Sequence, residues 1–108
     1  MPYHVSGPKK VTLTGAGPHK ITGLDPALTD LTVEIDCSAG VTGPISITYL
    51  PQGFTNARSP SQEQGGNEIA VNTGIALSRL ARPEEVILEF PGGDDLGTET
   101  VDVHLVQY

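Results

Sequence analysis

The chain is 108 residues long with a formal net charge of −7, 37% hydrophobic residues, 5% aromatics and no Trp. That length is one domain's worth, and the core has to rest on Val, Ile and Leu. The acidic balance opposes binding to nucleic acid or anionic membranes, a single Cys excludes an internal disulfide, and no run approaches the roughly 18 apolar residues of a membrane-spanning helix.

Along the chain the dominant period is two, the signature of strands with one face in a core and one in water. Val11 and Leu13 alternate with Thr12 and Thr14, and Gly15-Ala16-Gly17-Pro18 breaks the run. His19 to Leu24 predicts a short second strand with Ile21 inward. Leu31-Thr32-Val33-Glu34-Ile35-Asp36-Cys37 is the clearest strand: one face is apolar, the other Thr, Glu and Asp. Cys37 continues the apolar face, which predicts a buried, inert thiol.

Ile45, Ile47 and Tyr49 alternate with Ser46 and Thr48 after a turn at Gly40 to Gly43. Residues 51–66 then form a long polar loop, in a chain whose other connections are short. Loops of that length are functional or disordered. This one carries Phe54, Asn56 and Arg58; aromatic residues and Arg are enriched where proteins meet. Ile69 and Val71 mark another strand. Gly74 to Arg82 fits a strand or a short helix and is read as a strand, ended by Pro83. Val86, Leu88 and Phe90 share one side of the next strand, with Ile87 on the other. Val101, Val103 and Leu105 form the inner row of the last.

Seven or eight short antiparallel strands with Gly/Pro turns predict an all-β fold, a single β-sandwich over residues 1–108 of jelly-roll or immunoglobulin-like topology. The charges are segregated. Residues 1–24 contain Lys9, Lys10 and Lys20 and no acid, whereas residues 84–108 contain seven acids and no Lys or Arg. Opposite charges across a strand pair attract, so the strand near Lys9–Leu13 is expected beside the strand Thr98–Gln107.

No catalytic constellation is legible. His4, His19, His104 and Cys37 lack metal-ligand spacing, and the turn with Asp94, Asp95 and Glu99 lacks the pattern of a calcium loop. No nucleophile motif occurs. The expectation is no enzyme activity, no cofactor and no metal. Met1 to Lys20 holds no apolar segment of a secretory signal.

Two resemblances add to this. Ile21-Thr22-Gly23-Leu24-Asp25-Pro26, followed by Leu31-Thr32-Val33-Glu34, is similar to the turn-and-strand segment of fibronectin type III domains. That likeness implies sandwich-type turn chemistry and no function. The whole chain, in its size, single Cys, Thr/Gly/Val-rich strands and sparse charged sites, resembles the small capsid decoration or cement proteins of tailed phages. The resemblance implies a non-catalytic virion subunit that binds a major capsid or other virion protein, stabilises the shell and self-associates, often as a trimer. The expected contact residues are Phe54, Asn56 and Arg58 of the loop, with Lys9 and Lys10 of the first strand. The alternative reading is a carbohydrate-binding or adhesion module, for which exposed aromatics are few.

Overall fold

The computed structural model describes residues 9–108. His4 and Tyr3, and the first eight residues of the expected domain, lie outside that range. Eight strands form among the described residues: β1 (Lys9–Ala16), β2 (His19–Ile21), β3 (Leu31–Cys37), β4 (Ile45–Pro51), β5 (Glu68–Ile69), β6 (Gly74–Leu77), β7 (Pro83–Glu89) and β8 (Asp95–Gln107). A single 3₁₀ turn, Gln62–Gln64, lies between β4 and β5. No helix among the described residues is long and apolar enough to cross a membrane.

The strands make two four-stranded sheets, ordered β1-β8-β3-β6 and β2-β7-β4-β5. Every pairing is antiparallel. The pairs β1 with β8, β2 with β7, β3 with β6 and β4 with β5 are nested, as if one long hairpin had been bent over and wrapped. That is a jelly roll, which settles the topology against the immunoglobulin-like alternative. The segment similar to fibronectin type III domains, 21–34, is the crossing from β2 in one sheet to β3 in the other.

The alternation read from the sequence is the alternation of burial. Leu31 and Val33 are fully buried and Ile35 nearly so, beside Val101, Val103 and Leu105 of the same sheet; Ile45, Ile47, Tyr49, Val86 and Leu88 face them from the other sheet. Cys37 departs from the expectation. It is half-buried and packs on the margin of the core, because β3 ends there. The strand expected over 74–82 stops at Leu77, and residues 78–82 are a connection whose backbone turns left-handed at Arg79 and Arg82. Ile87 is half-buried on the outer face of its sheet, between Lys20 of β2 and Thr48 of β4.

The charge argument for the outer strands holds. Lys9 pairs with Leu105, Lys10 with His104 and Thr12 with Asp102. The Lys10 ammonium lies 3.7 Å from the Asp102 carboxylate, and the Thr12 hydroxyl donates to the same side chain at 2.6 Å.

Strand direction gives the sandwich two poles. At one, the loop pole, lie the connections 22–30, 52–67 and 78–82, together with Tyr108. At the other, the turn pole, lie 17–18, 38–44, 70–73 and 90–94.

Candidate functional site

The loop 51–66 divides into a structural half and an exposed half. The chain leaves β4 at Pro51 and turns back at once, Phe54 N–H donating to the Pro51 carbonyl at 3.1 Å. Arg58 then pairs with Tyr49 of β4 in both directions, its N–H donating at 2.7 Å and its carbonyl accepting at 2.9 Å. Residues 52–57 are thereby a tip closed by a two-bond bridge. The second half folds down onto the sandwich. Ser61 N–H donates to the Gln64 side-chain oxygen at 2.7 Å, and Gly66 N–H to the Ser61 carbonyl at 2.8 Å. Gln64 in turn fixes the 78–82 connection: its carbonyl accepts from Ser78 N–H at 3.0 Å, and its amide donates to the Arg79 carbonyl at 3.1 Å.

On the tip, Phe54 is 45% exposed. The Arg58 guanidinium lies over its ring, 4.7 Å from the centroid, an attraction of about 0.5–1 kcal/mol at an exposed site. The stack holds two mobile side chains in one shape on a tip whose backbone is already fixed. Asn56 is exposed between them.

Around this tip the fold gathers residues that are scattered in sequence. Arg79 and Arg82 are exposed on the neighbouring connection, so all three arginines of the chain lie at the loop pole. Tyr108, 47% exposed, joins them, its backbone paired in both directions with Asp30 at 3.0 Å. Phe54 and Tyr108 are the exposed large hydrophobic residues among those described. Arg79 and Arg82 have φ of 56° and 45°. A side chain in the left-handed region costs roughly 1–2 kcal/mol relative to glycine, so these two positions carry guanidinium groups where glycine would be less strained. An open hollow of about 490 Å³, lined by Asp25, Pro26, Ala27, Thr29, Gln52 and Arg82, lies between these connections.

The structure therefore brings Phe54, Asn56 and Arg58 together. It puts Lys9 and Lys10 on β1, engaged within the molecule: the Lys9 ammonium donates to the Thr22 carbonyl, and Lys10 faces Asp102. Sequence reasoning missed Arg79, Arg82 and Tyr108. A count of aromatic and Arg residues outside the alternating strands would have flagged them, but Arg79 and Arg82 were hidden in a segment read as a strand. Residues 37–57 carry no charged side chain, and they are largely β4 and its entry turn, with Ile45, Ile47 and Tyr49 in the core.

At the turn pole the acidic residues serve the fold. Asp94 accepts from Phe90 N–H at 3.0 Å and lies 2.9 Å from the Nδ1 of His19, a ring only 4% exposed. Glu99 accepts from the Ser38 hydroxyl. Among the described residues no group of three or more His, Cys, Asp or Glu side chains is placed to hold a metal ion.

No protein family matches the chain by sequence, and no curated protein does. Solved structures match its fold. The prophage-derived protein YomS of SPBc2 superposes with a TM-score of 0.53 at 16% identity, over 97% of this chain and 99% of that one. A chain of the Bacillus endospore appendages, which form disulfide-linked pili, gives 0.47 at 14% identity, over 96% and 87%. The xylan-binding module CBM86 of Roseburia intestinalis gives 0.48 at 13%, over 95% and 96%. The first of these shows a shared fold: the chain is a small jelly-roll sandwich similar to a prophage-derived protein across nearly its whole length.

Proposed function

We propose that this domain is a non-catalytic structural subunit of a phage virion, a decoration or cement protein that stabilises a shell, with the loop pole as its contact surface. The observation that carries the reading is the Phe54–Arg58 stack. An exposed aromatic–guanidinium pair stands on a backbone-fixed tip, with two further arginines and a tyrosine exposed at the same pole. Interfaces concentrate their binding energy in such residues, and a tip that is already ordered loses little entropy when it binds. The framework suits the role, since jelly rolls recur in viral capsid proteins. It is also the framework of a prophage-derived protein.

A shell-binding assay tests this. Co-sedimentation with phage capsids should show wild-type protein bound, with Arg58→Ala and Phe54→Ala each weakening binding by tenfold or more, as hot-spot truncations do. The melting temperature should stay within a few degrees of wild type, because both side chains project from a tip held by backbone bonds. Loss of stability parallel to loss of binding would make the stack a structural feature and remove the argument. The alternative, a carbohydrate-binding module, draws on the polar hollow lined by Asp25, Gln52 and Arg82. Binding to glycans, with no binding to any shell, would favour it.

A further inference from the structure

At the turn pole, on the edge of the sheet that ends in β5, lies an open hollow of about 490 Å³ lined by Gly43, Pro44, Glu68, Ile69, Ala70 and Val71. Its walls are mostly apolar and one carboxylate stands on its rim. Glu68 is exposed, and it sits directly across β4's Ser46 from Glu89, which is exposed too. The chain's Lys and Arg residues do not line it: Lys9, Lys10 and the three arginines are on the loop-pole half, and Lys20 stands on the opposite edge strand, β2, across from Ile87 and diagonal to Glu89. The hollow is therefore an apolar seat with an acidic rim, and among the described residues no Lys or Arg lines it.

The opposite pole carries the matching shape. Phe54 is an exposed ring with the Arg58 guanidinium over it. A ring fits the space, since an enclosed cavity of about 150 Å³ already takes benzene. The two features cannot meet within one molecule. β4 separates them, seven residues running from Ile45 beside the hollow to Pro51 beneath the tip, or about 20 Å at 3.3 Å per residue.

We propose that the occupant of this hollow is the Phe54–Arg58 tip of a second copy of the chain, its ring on the apolar walls and its guanidinium on the Glu68 and Glu89 carboxylates. This deepens the contact reading of the loop pole and rests on it, naming another copy as the partner of that surface. The loop pole has acids of its own: Glu63 is exposed on the second half of the loop, whereas Asp30 and Asp25 are engaged within the fold. Asp30 accepts from Arg79 N–H at 3.2 Å and from the Thr29 hydroxyl at 3.1 Å, and Asp25 accepts from Ala27 N–H at 2.9 Å. Both are half-buried, whereas the guanidinium groups stand exposed. Tip and hollow are different surfaces, so the contact is head-to-tail. Such contacts close into rings or run on as open chains, and a shell covered by copies linked in this way is held laterally by the links.

A charge exchange with free protein, without any shell, tests it. Arg58→Glu puts an acid on the tip, and Glu68→Lys puts a base on the rim. Sedimentation velocity at physiological ionic strength should show wild-type protein associating with rising concentration. Each variant alone should associate at least about tenfold more weakly, since juxtaposed like charges oppose docking. An equimolar mixture should recover association, because each tip then meets a rim of opposite charge. Phe54→Ala should weaken association of the wild-type chain without changing its circular dichroism. Wild-type protein that stays monomeric, or a mixture no better than its components, overturns the proposal. In that case retained binding of wild type to capsids would leave the virion reading standing. Conversely, association of free copies with no capsid binding would support the head-to-tail contact while removing the shell.

Discussion

His19 faces two oxygens at once, the Asp94 carboxylate at 2.9 Å from Nδ1 and the Gly15 carbonyl at 3.0 Å from Nε2, with the Phe90 ring edge-on at 5.2 Å. The same Asp94 oxygen accepts from Phe90 N–H, and the Asp94 carbonyl accepts from Gly17 N–H at 2.8 Å. One side chain pair thus ties the β1–β2 turn to the β7–β8 turn. Removing a partner from a buried pair exposes the other to the full desolvation penalty, about 1–3 kcal/mol. His19→Ala and Asp94→Ala should each lower the unfolding free energy by about that much in chemical denaturation, and the double variant by less than the sum. A second residue-scale expectation concerns Asp102. The Thr12 hydroxyl, helped by the Lys10 ammonium and the His104 ring, holds its carboxyl below the ordinary 3.8. A carboxylate whose folded value is depressed contributes stability above its unfolded value and loses it as pH falls through the folded one. Thr12→Val should move the Asp102 titration upward, read by NMR, and reduce the share of stability lost on acidification below about pH 4.

At the scale of the element, β3 and the loop 51–66 differ in how openly the sequence announced them. Leu31-Thr32-Val33-Glu34-Ile35-Asp36 alternates without a break because one side lies on the core and the other in water, so its place was legible residue by residue. The pairing of β1 with β8 was legible too, from charge alone. The extent of β6 was not. Ile75, Leu77 and Leu80 are spaced as one apolar run, yet Leu80 is buried from a connection, with its N–H on the Thr29 carbonyl at 2.9 Å. Burial from a loop leaves no period to read. Phe54, Asn56 and Arg58 stood out by residue type, whereas Arg79, Arg82 and Tyr108 come to the same pole only through the fold. The structural half of the loop makes its own prediction. Gly65 has φ of 115°, and a Cβ there would stand 2.4 Å from the Ala76 carbonyl oxygen. Gly65→Ala should therefore destabilise the domain by about 1–3 kcal/mol, through overpacking and a backbone that a side chain disfavours. Gly53, on the exposed tip, has a left-handed φ but nothing near, so Gly53→Ala should cost about 1 kcal/mol from the backbone alone.

Across the whole molecule, β8 is the member on which the two-layer arrangement depends. It is the longest strand, and it lies between β1 and β3 in its sheet. Its inner row, Val101, Val103 and Leu105, is almost completely buried. Ending the chain at Thr100 would leave Lys9–Leu13 of β1 without a partner and strip β3 of one neighbour. Circular dichroism of that truncated chain should show no cooperative unfolding transition, whereas Arg58→Ala should retain one.

The nesting of strand pairs also orders them by chain separation. β4 and β5 are joined by the shortest intervening segment, β3 and β6 by the next, β2 and β7 by a longer one, and β1 and β8 by nearly the whole described chain. Closing a small loop before a large one lowers the entropy lost at each step. The ladder therefore resembles a fastener whose slider starts in mid-sequence and travels toward both ends, and its starting point is the segment that bears the Phe54–Arg58 stack.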